Sequence, residues 1–161
     1  MHEFFYKWLD NGTFAVMEYH GDEKNVIIPD TYCGAPVSLL FDKLFAGHTE
    51  IESVNIPDTV TDIGEFLFEG CENLRHIKLP DALESIWPYA FTRSGIEEIT
   101  IPEKVVSLPP CTFMDCKNLK TLNCNINLKK IYAWALGGCE SLTEFNHENT
   151  VQIDPKAFER R

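Results

Sequence analysis

The stretch DIGEFLFEGCENLRHIKLP, from Asp62 to Pro80, contains two apolar patterns that decide the fold. An isoleucine is followed five residues later by a phenylalanine, and two apolar residues, Ile77 and Leu79, alternate with polar ones before the closing proline. The stretch ESIWPYAFTRSGIEEITIP, from Glu84 to Pro102, has the same order. A pattern that returns at this distance indicates an internal repeat.

The repeat recurs six times along the chain, at intervals of 22 or 23 residues. Its large apolar position holds Phe45, Phe68, Phe91, Phe113, Leu136 and Phe158, and the position five residues earlier holds Leu40, Ile63, Ile86, Leu108, Ile131 and Ile153. The first apolar position of the alternating pair holds Val54, Ile77, Ile99, Leu122 and Phe145. A constant offset over so many copies indicates that every copy has the same backbone path.

The spacing predicts one short strand and one turn in each repeat. Apolar residues two positions apart are typical of a strand with one buried face, and a proline suits the end of a strand because it has no N–H to donate. The segment IGEFLFEGC is too short for a full helix and predicts a turn of α- or 3₁₀-helix. One unit cannot bury its own apolar face, so the units are expected to stack about 4.8 Å apart.

The segment IPDTVTDIGEFLFEGCENLRHIKLP resembles the BspA-like class of leucine-rich repeats. The resemblance implies a leucine-rich-repeat solenoid, α/β or mostly β, with parallel stacked strands and short helical or 3₁₀ turns on the other face. It also implies adhesion or host-surface binding, as in secreted bacterial or protist proteins. We expect a single domain with five to six repeats over residues 25–161.

Residues 1–24 are expected to cap the first repeat. Two apolar-rich runs flank Asn11-Gly12, and Asn-Gly is the strongest short-range indication of a β-hairpin. An insertion, TYCGAP, follows Pro29 in the first repeat and is interpreted as a loop because of Gly34 and Pro36.

The charge of the chain is uneven. The net charge is −11, and residues 1–84 carry 16 acidic and 5 basic residues, whereas residues 85–161 carry 9 of each. This acidity argues against direct binding of nucleic acid or anionic membranes. The sequence has neither an apolar run long enough to span a membrane nor a signal peptide, so a cytoplasmic location is expected. The alternative is a secreted or surface protein of which this is a trimmed fragment.

The sequence offers no catalytic or metal-binding pattern. Six cysteines are present but none forms a C-x-x-C pair, and three of them, Cys71, Cys116 and Cys139, share one column of the repeat. A straight column does not provide the tetrahedral geometry that zinc prefers. We therefore interpret the cysteines as buried, reduced thiols and expect no cofactor, no metal and no enzymatic activity.

Two surfaces remain as candidates for binding. The alternation predicts an exposed sheet face, which consists of Ser53, Asn55, His76, Lys78, Glu98, Thr100, Thr121, Asn123, Glu144 and Asn146. Such a face is also compatible with a solvated sheet that has no ligand. The second candidate is an aromatic edge, formed where the family usually has glycine, and it consists of Phe41, Trp87 and Tyr132. The nearby Phe66, Tyr89 and Trp134 are expected to pack on one another.

These features predict a non-enzymatic module that binds another protein through its repeat scaffold. The alternative is an acidic inhibitor or decoy that occupies a basic groove of another protein, such as a groove that binds nucleic acid. The steepness of the salt dependence separates the two hypotheses, because screening weakens a charge-driven complex most. The sequence indicates neither the partner nor the oligomeric state.

Overall fold

Each repeat except the third contributes two short strands, one more than the spacing predicts, because its two apolar patterns each place one side of the backbone against a common core. The computed structural model describes residues 3–161, which form a β-solenoid of about six turns. The strands are β1 (Glu3–Trp8), β2 (Phe14–His20), β3 (Asn25–Ile27), β4 (Thr31–Tyr32), β5 (Ala35–Leu40), β6 (Ser53–Asn55), β7 (Asp62–Ile63), β8 (Ser85–Ile86), β9 (Glu98–Thr100), β10 (Ser107–Leu108), β11 (Thr121–Asn123), β12 (Lys130–Ile131), β13 (Glu144–Asn146) and β14 (Gln152–Ile153).

The strands from successive turns pair in parallel and form two rows. The first row carries the sheet face and contains the pair β3–β6 and the sheet β9–β11–β13, with equivalent repeat positions in register. The second row contains β5–β7–β8 and β10–β12–β14. In-register pairing explains the constant offsets of the repeat, because each apolar residue lies directly above its equivalent in the next turn.

The core is a ladder of the large apolar residues. Phe45, Phe68, Phe91 and Phe113 are fully buried, and neighbouring rings stack with centroids 5.3–5.5 Å apart. Phe158 occupies the same column but is 52% exposed. The difference follows from position, since in the described residues no further turn covers the ring of Phe158.

The N-terminal strands form the predicted hairpin. Strands β1 and β2 pair antiparallel, and β2 also pairs in parallel with β5, which joins the hairpin to the solenoid. The turn is longer than an Asn-Gly pair, because the N–H of Leu9 donates to the carbonyl of Thr13 and only Gly12 has a positive φ, 82°. Met1 and His2, the first two residues of the predicted cap, lie outside the described residues.

The insertion after Pro29 is a small hairpin and not an irregular loop. Strand β4 pairs antiparallel with the start of β5, and the two residues between them, Cys33 and Gly34, have φ values of 49° and 80°. Two consecutive positive φ values define the tight turn that fits the twist of a hairpin.

The prediction of helical or 3₁₀ turns is wrong. The described residues contain no helix, and therefore none that is long and apolar enough to cross a membrane. In the first turn the N–H of Ala46 donates to the carbonyl of Lys43 at 3.0 Å, but the N–H of Phe45 donates to Leu67 of the next turn at 3.0 Å. A helix needs consecutive N–H groups to point along its own axis. Here every second N–H group donates to the neighbouring turn instead, so no helix forms.

A positive φ makes this alternation possible. In five of the six turns one residue at the same repeat position has a φ between 56° and 62°, and the residues concerned are Lys43, Phe66, Tyr89, Cys111 and Trp134. Residues other than glycine, asparagine and aspartate rarely adopt this conformation, at a cost of roughly 1–2 kcal/mol each. The hydrogen bonds between turns hold the backbone there.

Candidate functional site

The predicted sheet face lies on the first row of strands, and its side chains are exposed or half-exposed. The residues concerned are Ser53, Asn55, His76, Lys78, Glu98, Thr100, Thr121, Asn123, Glu144 and Asn146. Several of them bond to one another. Asn146 Nδ2 donates to Asn123 Oδ1 at 2.7 Å, and Ser53 Oγ donates to Asn25 Oδ1 at 2.7 Å. These polar groups are partly satisfied within the protein itself.

The sheet face is interrupted at the third repeat. His76 and Lys78 belong to no strand, and among the described residues this segment has one isolated bridge, from His76 to Glu98. Ile77, which the alternation predicts to be buried, is only half-buried. A shallow cavity of about 390 Å³ lies between this segment and strand β9. The sheet face is therefore two short polar sheets with a depression between them.

The aromatic row, as we name Phe41, Trp87 and Tyr132, follows the second row of strands. Phe41 is 40% exposed, Trp87 49% and Tyr132 37%, at equivalent positions in every second turn. Since neighbouring turns are about 4.8 Å apart, successive rings project from backbone positions about 10 Å apart. The sequence prediction that these residues are partly exposed agrees with their placement.

Short or rigid residues separate the members of the aromatic row. Gly64 lies between Phe41 and Trp87, and Pro109 lies between Trp87 and Tyr132. A Cβ atom at position 64 would lie 2.6 Å from the backbone nitrogen of Asp42, so no side chain fits there. The row therefore alternates protruding rings with gaps. One ring has a polar neighbour, since Lys130 Nζ lies 4.4 Å from the ring centroid of Tyr132.

The second set of aromatic residues lies on the turns and packs largely on itself. The rings of Phe66 and Tyr89 stack with their centroids 4.5 Å apart and an angle of 12° between the planes. The guanidinium group of Arg161 lies 5.5 Å from the ring centroid of Trp134 and also bonds the hydroxyl of Tyr89. All three aromatic residues are half-buried.

A further aromatic cluster, on the N-terminal hairpin, was not predicted as a site. Tyr6 and Tyr32 stack at 3.9 Å, Phe14 meets Tyr32 edge-on at 5.0 Å, and Trp8 meets Phe14 edge-on at 5.0 Å. Trp8 and Tyr32 remain exposed. The run FFYKW was visible in the sequence, but the insertion that carries Tyr32 had to fold back as a hairpin to complete the cluster.

The prediction that the cysteines are all buried is wrong for Cys33, which lies exposed in the turn of the inserted hairpin. The buried cysteines are unreactive. Burial raises the pKa of the thiols of Cys71 and Cys116 to about 12, and each thiol donates to a main-chain carbonyl of the preceding turn, that of Phe45 and Phe91 respectively. A protonated thiol is a poor nucleophile and a poor metal ligand. Within residues 3–161, no group of three or more histidine, cysteine, aspartate and glutamate residues is placed to hold a metal ion.

The repeat pattern and the solenoid both match a known family. A family model described as BspA type leucine rich repeat region matches residues 40–161 in six copies. The chain belongs to this family. The resemblance predicted from the sequence is confirmed. Leucine-rich-repeat scaffolds of this kind are typical of protein-interaction modules and are generally non-enzymatic.

Crystal structures of bacterial leucine-rich-repeat proteins have the same fold. A protein from Bacteroides ovatus is 26% identical with a TM-score of 0.70, over 98% of this chain and 49% of its own. The T. pallidum leucine-rich-repeat protein TpLRR is 23% identical with a TM-score of 0.76, over 93% of this chain and 82% of its own. This chain thus spans about half the length of the Bacteroides ovatus protein. A comparison with curated protein sequences found no significant match.

Proposed function

We propose that the chain is a non-enzymatic module that binds a partner protein through the aromatic row. The observation that carries this proposal is the exposure of Phe41, Trp87 and Tyr132 at equivalent positions of the scaffold. Large aromatic side chains left in water are energetically unfavourable, and aromatic residues are enriched at protein interfaces relative to the rest of the surface. No cofactor, nucleic acid or membrane takes part in this function.

The geometry of the aromatic row suits a protein surface. Tryptophan and tyrosine are the residues most often found as energetic anchors at protein interfaces, where truncation costs about 2 kcal/mol or more. The gaps at Gly64 and Pro109 leave space beside Trp87 for side chains of the partner. The rigid stacking of the turns fixes the spacing of the rings, so little conformational entropy is lost on binding.

The alternative is an acidic inhibitor or decoy that occupies a basic groove. Its support is the charge distribution, since the whole net charge of −11 arises from residues 1–84. A complex of this kind would weaken steeply as salt rises, whereas a complex held by aromatic anchors would weaken little.

The decisive experiment compares three forms of the protein for affinity capture from the native host. The first two are the wild type and Trp87→Ala, and the third is Ile126→Ala as a control that removes a 71% exposed apolar side chain from another surface. For a captured protein whose affinity is then measured, Trp87→Ala should weaken binding about 30-fold or more, which corresponds to about 2 kcal/mol. The melting temperature should stay close to that of the wild type.

Two outcomes would overturn the aromatic row as the binding site. One is a large loss of stability in Trp87→Ala with unchanged affinity, which would make Trp87 a packing residue. The other is unchanged binding by Trp87→Ala together with complete loss of binding on charge reversal at Glu65 and Glu72 and at high salt. That second outcome would support the acidic decoy.

The cytoplasmic location stays a prediction. The buried thiols do not report on the compartment, because burial and a raised pKa protect them from oxidation in either environment. Cys33 is exposed, so its oxidation state does indicate the compartment. Recovery of Cys33 as a free thiol from the host would support the cytoplasm, and a mixed disulfide at Cys33 would favour the secreted or surface alternative.

A further inference from the structure

One turn of the solenoid is a residue shorter than its neighbours. Ile99 follows Phe91 by eight positions, whereas Ile77 follows Phe68 by nine and Leu122 follows Phe113 by nine. The missing residue lies in the loop before the sheet face. There Gly95 alone takes the place of the pairs Glu72-Asn73 and Lys117-Asn118 of the neighbouring turns.

The short loop packs closely against the preceding turn. The N–H of Gly95 donates to the carbonyl of Cys71 at 3.0 Å, and Gly95 is buried. A Cβ atom at this position would lie 2.0 Å from the carbonyl oxygen of Glu72, so no side chain can rise from the loop. Residues of the two neighbouring loops, Glu72-Asn73 and Lys117-Asn118, line the space beside it. The result is a notch of about 620 Å³, whose floor is Ser94-Gly95.

The notch is rich in basic side chains, although the protein is acidic. It is lined by four cations, Arg75, Arg93, Lys117 and Arg160, and by two carboxylates, Glu72 and Asp115. The four cations are drawn from only 14 in the whole chain, whose net charge is −11. Local attraction for an anion is therefore expected from those of the four cations that make no ion pair.

Two of the cations are already paired, and two are not. Arg93 pairs with Glu69, and Arg160 pairs with Glu140 and, at 3.3 Å, with Asp115. These pairs orient the guanidinium groups and leave further N–H donors free.

Arg75 and Lys117 make no ion pair within residues 3–161, and the polar contact of the Arg75 side chain is a 3.4 Å bond to the carbonyl of Gly95. A guanidinium and an ammonium group thus lie on the walls of the notch with unused donors.

We propose that this notch binds a side-chain carboxylate of an acidic segment of the partner protein. The inference rests on the proposed protein-binding function. Arginine presents parallel N–H donors that match the two oxygens of a carboxylate. The notch also contains Glu72 and Asp115, whose charges oppose a dianion more strongly than a monoanion. This disfavours phosphate and sulfate relative to a carboxylate.

The experiment is a titration of the ¹⁵N-labelled protein with N-acetyl-hexaglutamate amide, followed by NMR. Saturable shifts of the backbone amides of Gly95, Lys117 and Asn118 are expected. The dissociation constant should rise as NaCl rises from about 20 to about 200 mM, because the Debye length shortens roughly threefold over this range. The hexaglutamine peptide should cause none of these shifts. Lys117→Gln, at an exposed position, should bind the acidic peptide at least about tenfold more weakly, the loss of one charge-assisted hydrogen bond.

Lys129→Gln is the matched control, since Lys129 is an exposed lysine outside the notch. It should bind the acidic peptide as the wild type does. An equal loss in Lys129→Gln and Lys117→Gln would overturn the site, because it would indicate a diffuse effect of net charge. Tighter binding of inorganic sulfate than of the peptide would overturn the assignment to a carboxylate. Failure here with the effect of Trp87→Ala intact would refute the notch and leave the proposed function standing.

Discussion

The replacement Phe91→Ala tests the packing of the solenoid at its centre. The ring of Phe91 is fully buried and stacks on Phe68 and on Phe113, each at 5.3 Å. Truncation of a buried phenylalanine costs about 3–5 kcal/mol, because the apolar burial is lost and the cavity fills only partly. For a chain of this size each kcal/mol lowers the melting temperature by about 2–4 °C, so the expected decrease is about 6–20 °C.

The matched control is Phe158→Ala, which removes the same side chain from the same column where it is 52% exposed. It should cost only about 1 kcal/mol, since about half of the side chain is already in water. Both variants are measured by thermal and urea unfolding, monitored by circular dichroism and tryptophan fluorescence. Coincident transitions would justify one free energy of unfolding for the whole chain. Equal destabilisation by the two variants would refute the ladder as the core of the fold.

Three further predictions concern the backbone and the thiols. Gly95→Ala should lower the free energy of unfolding by about 1–3 kcal/mol in urea titrations, because its Cβ would clash with the carbonyl of Glu72. In the native protein at pH 8 a thiol reagent should label Cys33 alone, and after denaturation it should label six thiols. Burial raises the pKa of Cys71 and Cys116 to about 12, whereas the thiols of the unfolded chain ionise near pH 9. The free energy of unfolding should therefore be constant below pH 9 and decrease as the pH rises from 9 towards 12, by up to about 1.4 kcal/mol per pH unit for each thiol. Urea titrations between pH 8 and pH 10.5 should show this slope, reduced in Cys116→Ala.

The first row of strands, apart from the segment at His76–Lys78, and the core could be predicted from the sequence because their determinants are local and repeated. The second row of strands was not predicted, because its two-residue strands form only by pairing between turns. An apolar residue at every 22nd or 23rd position can be buried in only one way when the turns stack in register, and Phe68 and Ile63 illustrate this. The turns could not be predicted. Whether Phe66 adopts a φ of 56° depends on the hydrogen bonds between its turn and the next, and no local pattern of residues encodes those partners.

The exposed positions of the aromatic row could likewise be predicted, since a column that usually holds glycine has no core to fill. The hairpin cluster and the notch could not. Tyr32 reaches the cluster only through the fold of an insertion, and the notch arises from a single missing residue near Gly95. In the sequence this deletion appears only as an interval of 22 residues in place of 23. Its effect on the surface depends on which loop is shortened.

The sheet face and the aromatic row differ in what a partner would gain by covering them. On the sheet face, Asn123 already accepts a hydrogen bond from Asn146, so a partner must replace an existing bond as well as displace water. Such an exchange yields little net free energy, about 1 kcal/mol for a typical hydrogen bond. Trp87 has no such internal compensation for its exposed apolar area, and covering it gains about 25 cal/mol for each Å² removed from water. Binding energy should therefore concentrate on the aromatic row, with the sheet face contributing orientation and specificity.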